Sequence, residues 1–218
     1  MSENLSPEGV RQALSFRLEF IRHGRTAGNL EGRYIGRTDE SLCPEGIRAL
    51  TERKRPQRPD LLFASPMKRC LETAGILFPE QKPLLLSDLR EYDFGSFEGK
   101  NHAELMSDPS YQTWLEAGGT MEIPAGEGLT AFKRRCRLAF EESLRFLLKR
   151  AENGPSGEEA GPGLSASYVV HGGTIMALFS AFDEEKKDYY DYQIKNGESL
   201  VRFWDGTYPV ILRKEREE

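Results

Sequence analysis

The chain has 218 residues, of which 38% are hydrophobic and 30% charged, and its net charge is −5. That length and balance suit one globular domain with a sizeable core. The acidic excess argues against a general nucleic-acid binder, and no apolar run approaches the roughly 18 residues of a membrane span.

Residues 1–15 are polar, read as an N-terminal extension and do not resemble a signal peptide. Residues 16–218 read as a single domain. "FRLEFI" alternates and then turns apolar, which predicts a strand from Phe16 to Ile21. "RTAGNLEGRYIGRTDESL" is rich in Gly, Asn and Arg and reads as a loop. Pro44 opens a short helix through "EGIRALTER". "DLLFAS" predicts a second strand. It runs into a helix in "SPMKRCLETAGILF", with Ser65 as N-cap and Pro66 at the first helical position. "PLLLSDLRE" predicts a third extended segment. Residues 92–128 hold short helical pieces and several glycines, and read as a small helical cap inserted over one end of the sheet.

"TAFKRRCRLAFEESLRFLLKRAE" is the strongest helix, capped by Thr130, with Leu138, Phe140, Leu144, Phe146 and Leu147 on its apolar side. Residues 153–163, "NGPSGEEAGPG", read as a surface loop. "SASYVVHGG" predicts a further strand and "TIMALFSAF" a helix. "ESLVRFW" and "YPVILRK", joined by "DGT", predict a C-terminal hairpin. Strands alternating with helices define an α/β three-layer sandwich: a mostly parallel sheet, helices on both faces and an antiparallel edge. In such sheets ligands collect at the carboxyl ends of the strands. The three cysteines, Cys43, Cys70 and Cys136, match no zinc spacing and read as reduced thiols of a cytoplasmic protein.

"IRHG" and "VVHGG" each place a histidine at a strand end, followed by glycine. Taken singly, a histidine after a strand, an arginine on a helix and a glutamate beside Arg90 all have ordinary structural readings. His102, the third histidine, reads as solvent-facing or capping. Taken together, Arg22, His23, Arg69, Glu91 and His171 suit phosphoryl transfer. His23 fits a nucleophile through one ring nitrogen, with a backbone carbonyl of the glycine-containing turn fixing its tautomer through the other. Arg22 and Arg69 offer forked donors that match phosphate oxygens. His171 adds a donor that favours an anion most when protonated. Gly24 and Gly172 let the backbone approach phosphate with no Cβ in the way. Glu91 supplies a proton to the leaving alkoxide, then takes one from the water that cleaves the phosphohistidine. Arginine and histidine supply the positive charge, so neither a metal nor a cofactor is expected.

At these residues the sequence resembles the histidine phosphatase superfamily, also called phosphoglycerate mutase-like. "RHGRTAGN" carries the family signature in Arg22, His23, Gly24, Thr26 and Asn29. "GRYIGRTDESLCPEG" continues it through the loop of Tyr34 and Gly36. "SPMKRCLETA" looks like the arginine helix, with Arg69 and Thr73, "LREYDFGSFEGK" like the acid segment with Glu91, and "VVHGGTI" like the second histidine motif. The resemblance runs from about residue 17 to about 204. It implies a phosphohistidine on His23, phosphate binding by Arg22, Arg69 and His171, proton donation by Glu91, and substrate-side roles for Gly24, Thr26, Asn29, Tyr34, Gly36 and Gly172.

The acid segment lacks the paired arginines of the cofactor-dependent mutases, which favours a phosphatase over a mutase. The first motif looks most like the α-ribazole phosphatases, which dephosphorylate a benzimidazole ribotide during cobalamin assembly; the alternatives are a broad-specificity sugar-phosphate or nucleotide phosphatase, or a phosphoglycerate mutase. Arg25 departs from the Glu or Gln common at its position. Tyr34, Tyr92, Phe94, Phe97, Tyr111 and Trp114 are candidate walls for a flat base, with Phe97 and Trp114 also readable as cap core. The expected partner is a small phosphorylated metabolite, with no nucleic acid and no membrane, and the expected assembly a monomer or homodimer.

Overall fold

The computed structural model describes residues 15–153 and 164–215. The N-terminal extension and the loop at 153–163 fall outside them, apart from Ser15 and Asn153. Five strands form one sheet: β1 (Phe16–Arg22), β2 (Leu61–Ala64), β3 (Leu84–Leu85), β4 (Ser165–Val170) and β5 (Ser199–Trp204), in the order β3-β2-β4-β1-β5. The first four are mutually parallel and β5 pairs antiparallel with β1. The helices are α1 (Ala27–Leu30), α2 (Pro44–Glu52), α3 (Lys68–Leu77), α4 (His102–Leu105), α5 (Pro109–Glu116), α6 (Leu129–Glu152) and α7 (Gly172–Phe182). The expected α/β sandwich with an antiparallel edge is the architecture found.

Side chains alternate across the strands, and the two faces receive different cores. Phe16, Leu18 and Phe20 of β1, Phe63 of β2 and Tyr168 of β4 join Phe140, Leu144 and Leu147 of α6 and Phe179 of α7. Ile21, Leu62, Ala64 and Val169 face the other way and join Leu50 of α2 and Cys70, Ala74 and Leu77 of α3. Tyr168 lies stacked between its strand neighbours, with ring centroids 5.1 Å from Phe20 and 5.0 Å from Phe63. Each such pair contributes about 0.5–1.5 kcal/mol beyond its burial. A one-residue slip would expel these rings from the core, so packing fixes the register that pairs Arg22 with Val170.

Local expectations fail where tertiary partners compete. Helix α3 begins at Lys68 with Met67 as N-cap, so neither Ser65 nor Pro66 takes the role expected of it. The N-cap of α6 is Gly128, not Thr130. Leu138 and Phe146 of α6 are exposed, while Phe132, Cys136 and Ala139 complete its buried face. The third strand is only two residues long. The expected hairpin is a single strand followed by isolated bridges, Phe203 to Arg213 and Asp183 to Leu212. Pro209 brings no N–H to a ladder, and Val210 and Leu212 turn into the core instead. The segment read wholly as loop contains α1, whose Thr26 and Asn29 form a reciprocal capping box.

Candidate active site

Strands β2, β4 and β1 are neighbours, and Ser65, His171 and His23 follow their carboxyl ends. The N–H of His23 donates to the Val170 carbonyl (3.0 Å) and that of Ser65 to the Val169 carbonyl (3.1 Å), extending the ladder past the strands. The two imidazoles are thereby brought to a centroid separation of 5.2 Å.

His23 is 4% exposed, and its Nδ1 lies 2.7 Å from the Gly24 carbonyl oxygen. A carbonyl can only accept, so Nδ1 carries the proton and Nε2 keeps its lone pair. Burial, reinforced by Arg69 and Arg22, holds the His23 pKa well below its ordinary value, against the pull of the Gly24 bond. The ring is therefore neutral at neutral pH, with an unprotonated Nε2.

His171 is fully buried. Its Nδ1 accepts from Arg69 Nε–H at 3.2 Å, so its single N–H is on Nε2 and donates to Ser65 Oγ at 2.8 Å. Burial, then Arg69 and His23, push its pKa well down. Beside two arginines a further buried cation is disfavoured, so His171 is neutral here and not in the protonated form that would favour an anion most. Cys70 Sγ lies 3.6 Å from Nε2, and burial raises its pKa far above the usual thiol range, so it is an inert filler.

The positive charge belongs to the arginines. Arg69 is fully buried on the first turn of α3, where its Nη1 and Nη2 donate to the carbonyls of Thr38 (2.7 Å) and Gly36 (2.8 Å). The N–H groups of the same loop, at Gly36 and Thr38, both donate to Glu98 Oε1 at 2.9 Å. The backbones of two residues are thus held between a carboxylate and a guanidinium. A Cβ on Gly36 would lie 1.9 Å from the Tyr92 carbonyl oxygen, so only glycine fits. Arg22 donates from Nη1 to the Ile194 carbonyl at 2.6 Å, while its Nε is buried without a partner among the described residues. An orphaned buried donor costs about 1–3 kcal/mol, which a phosphate oxygen on Arg22 would relieve. A Cβ on Gly172 would meet that guanidinium at 3.2 Å.

Glu91 approaches from the cap side. Its Oε1 accepts from Tyr92 N–H (2.9 Å) and its Oε2 from Gly173 N–H (3.1 Å), at the start of α7. That helix begins without a side-chain cap from His171, and its N-terminal dipole favours anions. A Cβ on Gly173 would lie 2.2 Å from Glu91 Oε1, so this second glycine of "HGG" admits the acid.

The remaining candidates divide. Gly24 does not offer its N–H to a phosphate: it donates to Thr73 Oγ1 at 2.9 Å, and its missing Cβ makes room for Leu50. Its carbonyl positions His23 instead. Thr26 is fully buried in the capping box, and Asn29 Oδ1 also accepts from Asn196 Nδ2 at 3.1 Å. Tyr34 is half-buried and its hydroxyl lies 2.8 Å from that of Tyr111. Tyr92, Phe97, Tyr111 and Trp114 are buried as core of the cap, which leaves Tyr34 and Phe94 as accessible walls. Tyr189 joins this side with its hydroxyl 3.4 Å from the Gly173 carbonyl. His102 is exposed and meets the Tyr111 hydroxyl. Arg25 lies on a groove of about 720 Å³ with Arg22 and Lys195, beside the site. Glu98, Gly173 and Asn196 were not singled out from sequence, and Ser65 only as a helix cap. Ser65 alone left a signal, since it too follows a strand.

A buried neutral histidine at a strand end, flanked by arginines and faced by a carboxylate, is an arrangement for moving phosphoryl groups. The family model of the histidine phosphatase superfamily (branch 1) matches residues 18–215. The chain belongs to that superfamily and is an enzyme of the phosphatase class. A putative phosphoserine phosphatase 2 from Hydrogenobacter thermophilus is 29% identical over 174 residues, 74% of this chain and 76% of the relative. An adenosylcobalamin/alpha-ribazole phosphatase from Escherichia coli is 31% identical over 126 residues, 55% of this chain and 62% of the relative's length. The crystal structure of a putative alpha-ribazole-5'-P phosphatase from Escherichia coli superposes with a TM-score of 0.68 at 23% identity, covering 91% of this chain and 94% of the other. That last likeness speaks for the fold.

Proposed function

We propose that the protein hydrolyses the phosphomonoester of a small metabolite through a phosphohistidine on His23, with α-ribazole 5′-phosphate as the leading substrate. The observation that carries the reading is the Nδ1–H of His23 on the Gly24 carbonyl, which aims a bare Nε2 into the site. The Nε2 lone pair attacks phosphorus and the ester P–O bond breaks. Glu91 gives its proton to the leaving oxygen. A water then loses a proton to the Glu91 carboxylate and attacks phosphorus, the P–N bond breaks, and phosphate departs with both residues restored. Arg22 and Arg69 hold the phosphoryl oxygens and stabilise their charge throughout.

The ribotide reading is supported by the name of the Escherichia coli relative and by the half-buried rings of Tyr34 and Phe94, 5.1 Å apart, on the leaving-group side. A base stacked on such a ring gains about 1–3 kcal/mol in nucleic-acid sites. A phosphorylated hydroxy acid such as phosphoserine is the second reading, supported by the longer match to the Hydrogenobacter relative. The test is kcat/KM for α-ribazole 5′-phosphate, phosphoserine and p-nitrophenyl phosphate in excess EDTA. The proposal expects the ribotide to lead by at least about tenfold, or ~1.4 kcal/mol. Equal low values reject the substrate and keep the chemistry. Phosphoserine in the lead replaces it with the second reading.

A further inference from the structure

We infer that Arg135, oriented by Glu127, is the residue that positions Glu91 for its part in the reaction. This rests on the assignment of Glu91 to the site. The acid sits on a segment with little structure of its own: a 3-10 turn at Ser87–Leu89, then irregular backbone. No strand ladder fixes residues 88–91. Three donors of one guanidinium take its place.

Arg135 Nη1 donates to the carbonyls of Asp88 (2.7 Å) and Arg90 (2.8 Å), and Nη2 to that of Glu91 itself (2.9 Å). The remaining Nη2 hydrogen and the Nε–H go to Glu127 Oε2 and Oε1, each at 2.7 Å. All five N–H groups of the side chain are used. Thr174 Oγ1 donates to the one carbonyl Arg135 leaves out, that of Leu89, at 3.2 Å. Glu127 is anchored in turn by its N–H on the Asp93 carbonyl at 3.1 Å. The clamp therefore joins both ends of the acid segment to α6, the longest helix. Both partners are sheltered, with side-chain exposures of 21% and 19%, so the fork is far less screened than an exposed pair.

Arg135 has no donor left for substrate and acts only through Glu91. A lysine there keeps the charge but offers three hydrogens from one point, which cannot reach three carbonyls and a carboxylate together. The test is a double-mutant cycle of Arg135→Lys with Glu91→Gln, read as kcat and KM on phenyl phosphate, with thermal melts confirming folded protein. Arg135→Lys alone is expected to lower kcat by about 10- to 100-fold with KM within about twofold. In the Glu91→Gln background the same substitution is expected to cost less than about twofold, because the group it positions is already gone.

An equal factor in both backgrounds overturns the inference, and so does no loss in either. Should Arg135→Lys not fold, Glu127→Gln closes the same cycle with the same criteria. The proton-donor assignment fails separately: Glu91→Gln would then slow p-nitrophenyl and alkyl phosphates equally, while the cycle still reports whether Arg135 acts through Glu91.

Discussion

The two sides of the active site are built by different means. On the phosphate side, His23, His171 and Ser65 extend adjacent strands, so the sheet that forms the core also sets their spacing. On the other side, Glu91 by the leaving group and the Gly36–Thr38 loop that seats Arg69 lie on irregular backbone held by Arg135, Glu98 and glycines without room for a Cβ. The first side is as rigid as the fold. The second depends on a few bonds that can be removed while the core stays intact. Constant phosphate chemistry and variable specificity fit that division.

Breaking the phosphate side at its centre has the largest expected effect. His23→Ala should lower kcat by at least about 10⁴-fold with a melting temperature near wild type, since no other group can carry the phosphoryl intermediate. On the other side, Gly36→Ala should act on both activity and stability. The new Cβ must push the Tyr92 carbonyl away, at a cost of about 1–3 kcal/mol. Because the acceptors of Arg69 move with the loop, kcat/KM should fall by about 10²-fold. A fall in stability with unchanged kcat/KM would show that the loop does not set Arg69.

Ser65→Ala is subtler. It leaves the buried Nε2–H of His171 unpaired, which should cost about 1–3 kcal/mol of stability and about tenfold in kcat. Ser65→Thr, which keeps the hydroxyl, should restore kcat.

The smallest effect is in the pH dependence of stability. Both histidines have pKa values depressed well below 6.5 in the folded state, chiefly by burial. Below about pH 6.5 the unfolded chain binds protons that the folded chain refuses, so stability is full above that pH and declines as pH falls through it. The limiting slope is about 1.4 kcal/mol per pH unit for each histidine. Urea unfolding between pH 7.5 and 5.5 should show a shallower decline in His171→Gln than in wild type. Identical slopes would mean that the His171 pKa is not depressed.

Legibility in the sequence followed the same division. Strand periodicity located β1, β2 and β4, and the residues after them, because a two-residue alternation is written locally. The histidines and Arg69 were readable since their neighbours in sequence also prepare them. Ser65 was misread as a helix cap because its partner, His171, is distant in the chain. Gly24 was read as a phosphate contact, and only the structure shows Thr73 on its N–H and Leu50 against its Cα. Arg135 and Glu127 received no functional reading from the sequence. Nothing near them in sequence signals that three carbonyls around residues 88–91 await a guanidinium. The C-terminal hairpin failed because its pattern was right for a strand while Pro209 and the core beneath it were not.

The most direct test of the central claim is rapid quenching during turnover of a phosphate-labelled substrate, followed by peptide mapping. The account predicts label on His23, lost in acid and stable in alkali, and absent from His23→Ala. A label stable to acid but lost in alkali, or one on a carboxylate, would contradict it.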